Sequence, residues 1–250
     1  MIEVEKLTKL FHPKFRKKFV AVDGVSFGVE DGEVLGLLGP NGAGKTTIMR
    51  MLATLLSPTS GTARVSGYDV RTHPNQVRGA LGILPEYWGL YERFTPRENL
   101  RMFGTFYGMK GPALERRMAE LIEILGMQEY ADRECKRFSK GMSQKVALAR
   151  TLIHDPPNLL LDEPTSGLDV MSARQVRNLI ADSRRQGKCV IVSTHILSEA
   201  ERLCDRLILL DAGRVVAEET PDSLCQRTGS ESLEDAFLTL LGRQDLEVLS

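Results

Sequence analysis

The feature that most constrains this chain is a glycine-rich turn between an apolar run and a helical stretch. The turn reads Gly39-Pro40-Asn41-Gly42-Ala43-Gly44-Lys45-Thr46-Thr47 and matches the pattern G-x-x-x-x-G-K-[ST]. The apolar run Val34 to Leu38 precedes it, and a helical stretch from Thr46 to Leu56 follows it. Glycines let successive backbone N–H groups point at an anion that a side chain would keep away. The sequence therefore predicts a phosphate-binding loop at the start of a helix.

Two side chains at the end of the loop extend this prediction to a whole nucleotide. Lys45 would place a positive charge at the β- and γ-phosphates, and the Thr46 hydroxyl can ligate Mg²⁺. We therefore expect the ligand to be a nucleoside triphosphate with magnesium. The nucleotide-binding residues predicted in this loop are Gly39, Pro40, Asn41, Gly42, Ala43, Gly44, Lys45, Thr46 and Thr47.

A second candidate site is a pair of acids at the end of an apolar run. The segment Leu159-Leu160-Leu161-Asp162-Glu163-Pro164 is typical of a buried parallel strand that stops at two carboxylates. In enzymes with a phosphate-binding loop, the first such acid holds Mg²⁺, which predicts a metal role for Asp162. Glu163 is then the candidate base, or the group that orients the attacking water.

A third motif lies between the loop and the acids. The segment Arg137 to Lys145 leads into a helical stretch from Val146 to Ile153. Ser139 is a good N-cap residue, and Gly141 permits close approach of a ligand to the backbone. This helix start is usually only a cap, but beside a phosphate-binding loop it is a candidate second anion site.

In this order, the motifs resemble those of the ATPase subunit of an ATP-binding cassette (ABC) transporter. The signature of that family is usually L-S-G-G-Q. The corresponding segment, Phe138-Ser139-Lys140-Gly141-Met142, keeps the serine and the second glycine and departs at the other three positions. The resemblance implies that Ser139 and Gly141, with Met142 beside them, contact the γ-phosphate of ATP bound to the opposing subunit. One chain alone would then not complete a site.

Two further segments match the family in the expected order. Ser166-Gly167-Leu168-Asp169 resembles the loop that crosses the dimer interface, and Thr194-His195 resembles the switch histidine. The apolar run Cys189 to Val192 precedes the histidine and is typical of a buried strand. His195 at this strand end could bond the γ-phosphate or the attacking water, so the predicted catalytic residues are Glu163 and His195.

The family stacks an aromatic ring on adenine, and this chain offers three candidates. Phe11 is the predicted stacking residue, while Phe15 and Phe19 compete with it because a basic insertion separates Phe11 from Ala21. The opposing interpretation is an aromatic side chain that packs an edge strand. Stacking without base-specific hydrogen bonds would make base selectivity loose.

Glu86 occupies a position where the family usually has a glutamine beside Mg²⁺. We expect it to join the metal shell through water; the alternatives are that it swings toward a membrane partner or is a solvated turn acid. The pattern that follows, from Gly89 to Leu100, resembles the branch of exporters for drugs and sodium. The aromatic run Tyr87 to Tyr91 suits either a protein partner or a small core.

Composition limits the classes of function. The 250 residues are 42% hydrophobic, and 33 basic residues balance 33 acidic ones, so a strong field for nucleic acid is not expected. There is no N-terminal signal pattern and no apolar run near 18 residues, so we expect no membrane span. The four cysteines have no C-x-x-C spacing, which argues against zinc and for reduced thiols.

Together, these observations predict an α/β fold: a P-loop NTPase (RecA-like) core with an N-terminal antiparallel β subdomain and an inserted α-helical subdomain. One ABC ATPase domain would span residues 1–228, with 1–86 and 145–228 in the core and 87–144 in the helical insertion. Residues 229–250 would form a short helical tail. The alternating helices and strands after residue 145 indicate a parallel sheet.

The predicted function is that of an ATP-hydrolysing subunit that dimerises on ATP. Its partners would be a second copy of itself, or a related ATPase subunit, and a separate multispanning transmembrane permease at the cytoplasmic face of the cell membrane. Export rather than uptake follows from family analogy alone. The alternative is a soluble ABC ATPase that acts on a ribosome, DNA or an assembly complex. A P-loop kinase or GTPase is disfavoured by Ser139 to Met142 and by His195.

Overall fold

Two β-sheets of different construction organise the chain. In this computed structural model, which describes residues 1–12, 18–86 and 89–242, one sheet has four strands and the other has six. The strands are β1 (Ile2–Phe11), β2 (Phe19–Val29), β3 (Val34–Leu38), β4 (Ser60–Val65), β5 (Tyr68–Asp69), β6 (Leu81–Leu84), β7 (Asn158–Asp162), β8 (Cys189–Ser193), β9 (Arg206–Asp211) and β10 (Arg214–Glu219).

Helices connect the strands, and three of them follow one another without an intervening strand between β6 and β7. Within the described ranges they are α1 (Lys45–Leu52), α2 (Pro74–Gly79), α3 (Pro96–Phe106), α4 (Gly111–Ile124), α5 (Lys140–Leu152), α6 (Val170–Arg185), α7 (Leu197–Leu203), α8 (Pro221–Thr228) and α9 (Leu233–Leu240), with 3₁₀ turns at Gln128–Tyr130 and Cys135–Arg137. None of the helices in this described part is long and apolar enough to cross a membrane.

The six-stranded sheet carries the core and positions the candidate site. Its order is β10-β9-β3-β8-β7-β6, and every neighbouring pair is parallel except β9 and β10. Strands β3, β7 and β8 are buried along their whole length, as expected for apolar strands covered on both faces. Their carboxyl ends meet at one edge of the sheet, where ligands of open α/β sheets bind.

The four-stranded sheet is the predicted N-terminal β subdomain. Its order is β2-β1-β4-β5, and all its pairs are antiparallel. Its inner residues, such as Ile2 and Val25, share one apolar cluster with Ile48 and Met51 of α1. The sheet therefore packs over the helix that follows the glycine-rich loop. The predicted α/β fold class, with a P-loop core and an antiparallel β subdomain, is confirmed.

The inserted helices α3 and α4, with the start of α5, form the third part of the predicted fold. The stripe Leu114, Met118, Leu121 and Ile122 on α4 is buried, as its helical spacing predicts. Gly126 follows with a φ of 60°, and this left-handed conformation ends the helix where the sequence predicts a stop.

Several element boundaries differ from the sequence expectations. Helix α5 begins at Lys140 rather than Val146, because the Ser139 cap rather than the apolar run sets its start. Helix α1 ends at Leu52 rather than Leu56, and Thr54 beyond it has a φ of 59°. Strand β10 and helix α8 were not predicted. Strand β10 is an edge strand whose apolar residues are too few to stand out by periodicity.

The last helix packs onto the core. On α9, Leu233 and Ala236 are buried, and Leu233 belongs to the same apolar cluster as Leu224 of α8 and Ala200 of α7. The helix therefore has a defined position against α7 and α8, within the segment that the sequence predicts as a tail.

A partly buried histidine makes the stability of this fold sensitive to acid. His154 stacks on Tyr107 with ring centroids 3.5 Å apart, and its burial lowers the imidazole pKa from 6.5 to about 4. The fold holds the neutral ring, so the unfolded chain binds the additional proton once the pH falls below 6.5. Stability is therefore lost between pH 6.5 and about 4, and none is lost from this group above pH 6.5.

We expect His154→Phe, which keeps a ring for stacking, to reduce this acid sensitivity. Relative to the variant, the parent should lose about 1–2 kcal/mol of unfolding free energy between pH 7.5 and pH 5. Urea unfolding of both proteins at the two pH values measures the difference. An equal loss in both proteins would show that His154 contributes nothing to the pH dependence.

Candidate nucleotide-binding site

The glycine-rich turn forms a loop between β3 and α1. Gly44 lies at the N-cap of α1 with a φ of 108°, and a Cβ there would lie 2.6 Å from the carbonyl oxygen of Ala21. Gly39 has a φ of 150°, and a Cβ there would lie even closer to the carbonyl oxygen of Leu210. Both positions therefore require glycine for conformation and for space. The loop presents the free N–H groups of a helix start to the sheet edge.

Lys45 is buried at the centre of this loop. Its Nζ donates hydrogen bonds to the carbonyl oxygens of Gly39 (2.6 Å) and Pro40 (3.2 Å). Burial lowers the pKa of the Lys45 ammonium, and the carboxylates of Glu163, Asp162 and Glu86 act in the opposite direction. The cation is thus held where a phosphate oxygen could replace the carbonyl oxygens as its partner.

Thr46 and Asp162 meet at the floor of the site. The Thr46 hydroxyl donates to Asp162 Oδ2 at 3.3 Å, although the residues lie 116 positions apart. Asp162 is the last residue of β7 and only 5% exposed. A hydroxyl and a carboxylate oxygen at one point are the hard oxygen donors that Mg²⁺ takes in nucleotide sites, so the residues present fit that ion.

Glu163 and His195 form a pair above that floor. His195 Nδ1 and Glu163 Oε1 are 2.7 Å apart, and the Glu163 amide donates to the Ser193 carbonyl oxygen at 2.9 Å. Glu163 has a φ of 50°, an uncommon conformation for a residue with a side chain. Its second carboxyl oxygen, Oε2, is buried and has no hydrogen-bond partner among the described residues. The pair therefore leaves one acceptor open for a further hydrogen-bond donor.

These groups share one cavity of about 200 Å³, into which four separate segments contribute. It is lined by Asn41, Lys45, Thr46, Glu86, Asp162, Glu163, Ser166, Ser193 and His195. Among these lining residues, the sequence interpretation missed Ser193, because the predicted strand ended at Val192. Its hydroxyl is buried and has no partner among the described residues. The sequence feature that could have identified Ser193 as a site residue is its position directly between a buried apolar run and Thr194-His195.

A neighbouring cavity of about 290 Å³ joins the loop to the β subdomain. Phe11, Phe19, Val20 and Ala21 line it together with loop residues 41–47. The rings of Phe11 and Phe19 stack with centroids 5.3 Å apart. Both phenylalanines therefore border the glycine-rich loop. Phe15 lies outside the described residues, and the choice of Phe11 for adenine stays a prediction.

The signature-like segment lies away from both cavities within its own chain. Ser139 caps α5 by accepting a hydrogen bond from the Met142 amide at 3.2 Å, as predicted for an N-cap residue. Gly141 faces the start of α6, where an added Cβ would lie 3.4 Å from Ser172 Oγ. Ser139, Gly141 and Met142 line neither cavity around the loop of the same chain. These residues therefore do not contact the site of their own chain, and they are free to contact the site of a second chain.

Gln144 connects this segment to the acidic pair, and the sequence interpretation did not single it out. It is fully buried, and its Nε2 donates to the carbonyl oxygen of Pro164, directly after Glu163. A movement of α5 would therefore pull on the loop that carries Glu163 through this hydrogen bond. The available signal was a polar residue on the buried face of a helix.

Glu86 lies at the rim of the cavity, exposed and close enough for its charge to act on Lys45. We expect Glu86→Gln to hydrolyse ATP within about 10-fold of the parent while changing the Mg²⁺ dependence. The reason is that the Glu86 carboxylate is a further negative charge near Asp162, and the two charges repel each other. A bound cation offsets that repulsion, so removing the Glu86 charge should change how the rate depends on Mg²⁺.

The Glu86 experiment has two readouts. ATPase rate and binding of a fluorescent ATP analogue are each titrated with Mg²⁺ for the parent and the variant. Identical Mg²⁺ curves would make Glu86 a solvated turn acid. If Glu86→Gln were inactive while Glu163→Gln stayed active, the roles assigned to the two glutamates would have to be reversed.

Comparison with known protein sequences places these motifs in a family. Residues 22–166 match the family described as "ABC transporter". The chain is 42% identical over 244 residues to the ABC transporter ATP-binding protein NatA of Bacillus subtilis, covering 97% of this chain and 99% of NatA. It is 39% identical over 225 residues to the Nod factor export ATP-binding protein I of Neorhizobium galegae, covering 90% of this chain and 63% of that protein.

Solved structures give the same result for the fold. The ATP-binding subunit of an ABC transporter is 31% identical and superposes with a TM-score of 0.87, covering 96% of this chain and 99% of that one. A dimeric, post-hydrolysis ATP-binding cassette bound to ADP and Pi is 26% identical with a TM-score of 0.80, covering 88% of this chain and 98% of that one.

Proposed function

Because this chain belongs to the ABC transporter family and is an ATP-hydrolysing, ATP-binding subunit, we propose that it pairs on ATP with a second copy or a related subunit. The pair would sandwich two nucleotides and power a separate multispanning permease. The observation that carries this proposal is the single cavity that holds Lys45, Thr46, Asp162, Glu163 and His195 and lacks Ser139.

The nucleotide would lie along the loop between the two cavities. Backbone N–H groups of residues 39–44 and the Lys45 ammonium would bind the phosphates, with Thr47 beside them. The ring of Phe11 or Phe19 would stack on adenine at the other end. The two cavities meet at Asn41, Lys45 and Thr46, which line both. One bound ATP could therefore reach both ends.

Hydrolysis would be in-line attack of water on the γ-phosphorus. Glu163 Oε2 would accept a hydrogen bond from that water and take its proton as the bond to the leaving β-phosphate oxygen breaks. His195 holds the other carboxyl oxygen of Glu163, whose backbone is in the left-handed conformation. Bound Mg²⁺, held by Thr46 and Asp162 with Glu86 reached through water, would neutralise charge on the phosphates.

Completion of the site would require the opposing copy. Ser139 and Gly141, with Met142 beside them, would present the N-terminus of α5 to the γ-phosphate bound by the partner. This matches their position away from the loop of their own chain. It also agrees with the dimeric form of the ADP- and Pi-bound cassette that resembles this chain.

The assembly would sit at the cytoplasmic face of the cell membrane as a peripheral subunit. An exporter is the favoured direction, because one relative is itself a Nod factor export subunit. The comparisons support the transporter rather than a ribosome- or DNA-associated ATPase.

Affinity capture tests the transport role. The tagged full chain is expected to recover a multispanning membrane protein from detergent-solubilised membranes, with the untagged chain as the control. Recovery of ribosomes or DNA in place of a membrane protein would overturn the transport role and leave the ATPase site untouched.

A further inference from the structure

Two large apolar side chains stand exposed at the start of α6. Val170 is 79% exposed and Met171 is 66% exposed, directly after the Ser166–Asp169 loop. Asp169 caps the helix by accepting a hydrogen bond from the Ser172 amide at 2.9 Å. The pair is therefore presented on the first turn of a well-formed helix. Contiguous exposed apolar side chains are a common feature of surfaces that contact a partner.

This pair shares a face with the signature segment. An added Cβ at Gly141 would lie 3.4 Å from Ser172 Oγ and 3.7 Å from Leu168 Cδ2, so the starts of α5 and α6 are in contact. A partner surface that contacts Ser139 would therefore also come close to Met171.

A matching cavity of about 260 Å³ borders the nucleotide loop on the side of α9. It is lined by Gly39, Pro40, Asn41, Thr194, His195, Leu197 and Phe237. Its apolar wall is Pro40, Leu197 and Phe237, and the last of these comes from α9. Asn41 and His195 line both this cavity and the cavity that holds Lys45 and Glu163.

We propose that Met171 of one copy inserts into this cavity of the other copy and packs on Phe237, so that α9 is part of the ATP-dependent dimer interface. The inference rests on the proposed trans assembly. If Ser139 contacts the opposing loop, the first turn of α6, which is in contact with the start of α5, would also lie near that loop. A methionine suits the role, because its flexible thioether fills irregular pockets and contacts aromatic rings favourably.

Two-fold symmetry makes the contact occur twice in each dimer. Each insertion also closes the cavity against His195, which the pair with Glu163 holds in place. Docking of the partner and positioning of the switch histidine would then be one event at each site.

Chemical cross-linking tests the contact directly. Two differently tagged chains, one with Met171→Cys and the other with Phe237→Cys, are mixed in a Glu163→Gln, Cys225→Ser background. Cys135, Cys189 and Cys204 are buried, so Cys225 is the native thiol that most needs removal. A short bismaleimide is expected to link the two chains with ATP and not without it. Ile124→Cys, exposed on α4, replaces Met171→Cys as the control and should not link.

Dimer affinity gives a second measurement on a surface residue whose change leaves the fold intact. By sedimentation with ATP, Met171→Ala should raise the dimer dissociation constant about 10-fold to 100-fold, while Ile124→Ala should leave it unchanged.

The outcomes separate this inference from the function on which it rests. An ATP-dependent dimer that neither cross-links through these positions nor weakens with Met171→Ala would overturn the inference and leave trans assembly standing. Absence of an ATP-dependent dimer in the Glu163→Gln background would overturn both.

Discussion

Glu163→Gln is expected to bind ATP as the parent does and to lose about 10²-fold or more of its turnover. Glutamine keeps the shape of the side chain and its contact with His195, but it cannot take a proton from water. ATP-bound dimer should therefore accumulate. Steady-state ATPase rate, nucleotide affinity and mass in solution with ATP measure the three effects.

Lys45→Ala is the matched comparison for that variant. It removes the buried cation at the centre of the loop, so nucleotide binding should fall and no ATP-bound dimer should form. The two variants therefore separate the two steps: Lys45→Ala impairs nucleotide binding, and Glu163→Gln impairs hydrolysis. Turnover close to that of the parent in Glu163→Gln would remove Glu163 from the catalytic role.

Mixing Ser139→Arg with Lys45→Ala chains is expected to restore part of the activity that neither has alone. Each lesion damages a different half of a composite site, because Ser139 would serve the ATP held by the other subunit. In the heterodimer, one interface combines both lesions and the other has neither. Rates measured across mixing ratios should therefore pass through a maximum near equal proportions.

Ser139→Ala serves as the control for the size of the arginine. It removes the hydroxyl that accepts from the Met142 amide without placing a new side chain in the interface. If no mixing ratio exceeds the two single variants, although the mixed chains form dimers, activity does not arise from trans assembly of independent sites.

Those parts of the site that short motifs encode could be predicted from the sequence, because each motif sets its own backbone. The loop from Gly39 to Thr47 imposes positive φ values and a helix start, and the buried run before Asp162 places its carboxylate at a strand end. The Ser139 cap likewise follows from local geometry. The pairing of Thr46 with Asp162 required only the known chemistry of such loops.

The remaining contacts depend on strand order and register, which periodicity does not contain. Glu163 reaches His195 because β7 and β8 are neighbours and Asp162 pairs with Ser193. Phe19 stacks on Phe11 because the β1–β2 register places them opposite each other. The contact of Gln144 with the loop after Glu163 arises in the same way, from packing of the insertion on the core.

The role of α9 shows a further limit of sequence patterns. Its apolar residues predict a helix, but they do not say what it covers. Its position next to Pro40 and His195 follows from packing on α7 and α8. A segment interpreted as a tail thus borders the nucleotide loop.

If ATP is hydrolysed at a site built by two chains, the ATPase rate per chain must depend on protein concentration. It is expected to rise with concentration and to level off once the dimer is saturated. Met171→Ala should shift the rise to higher concentration. A rate per chain that stays constant from far below to far above the dimer dissociation constant would mean that one chain completes the site and that trans assembly is wrong.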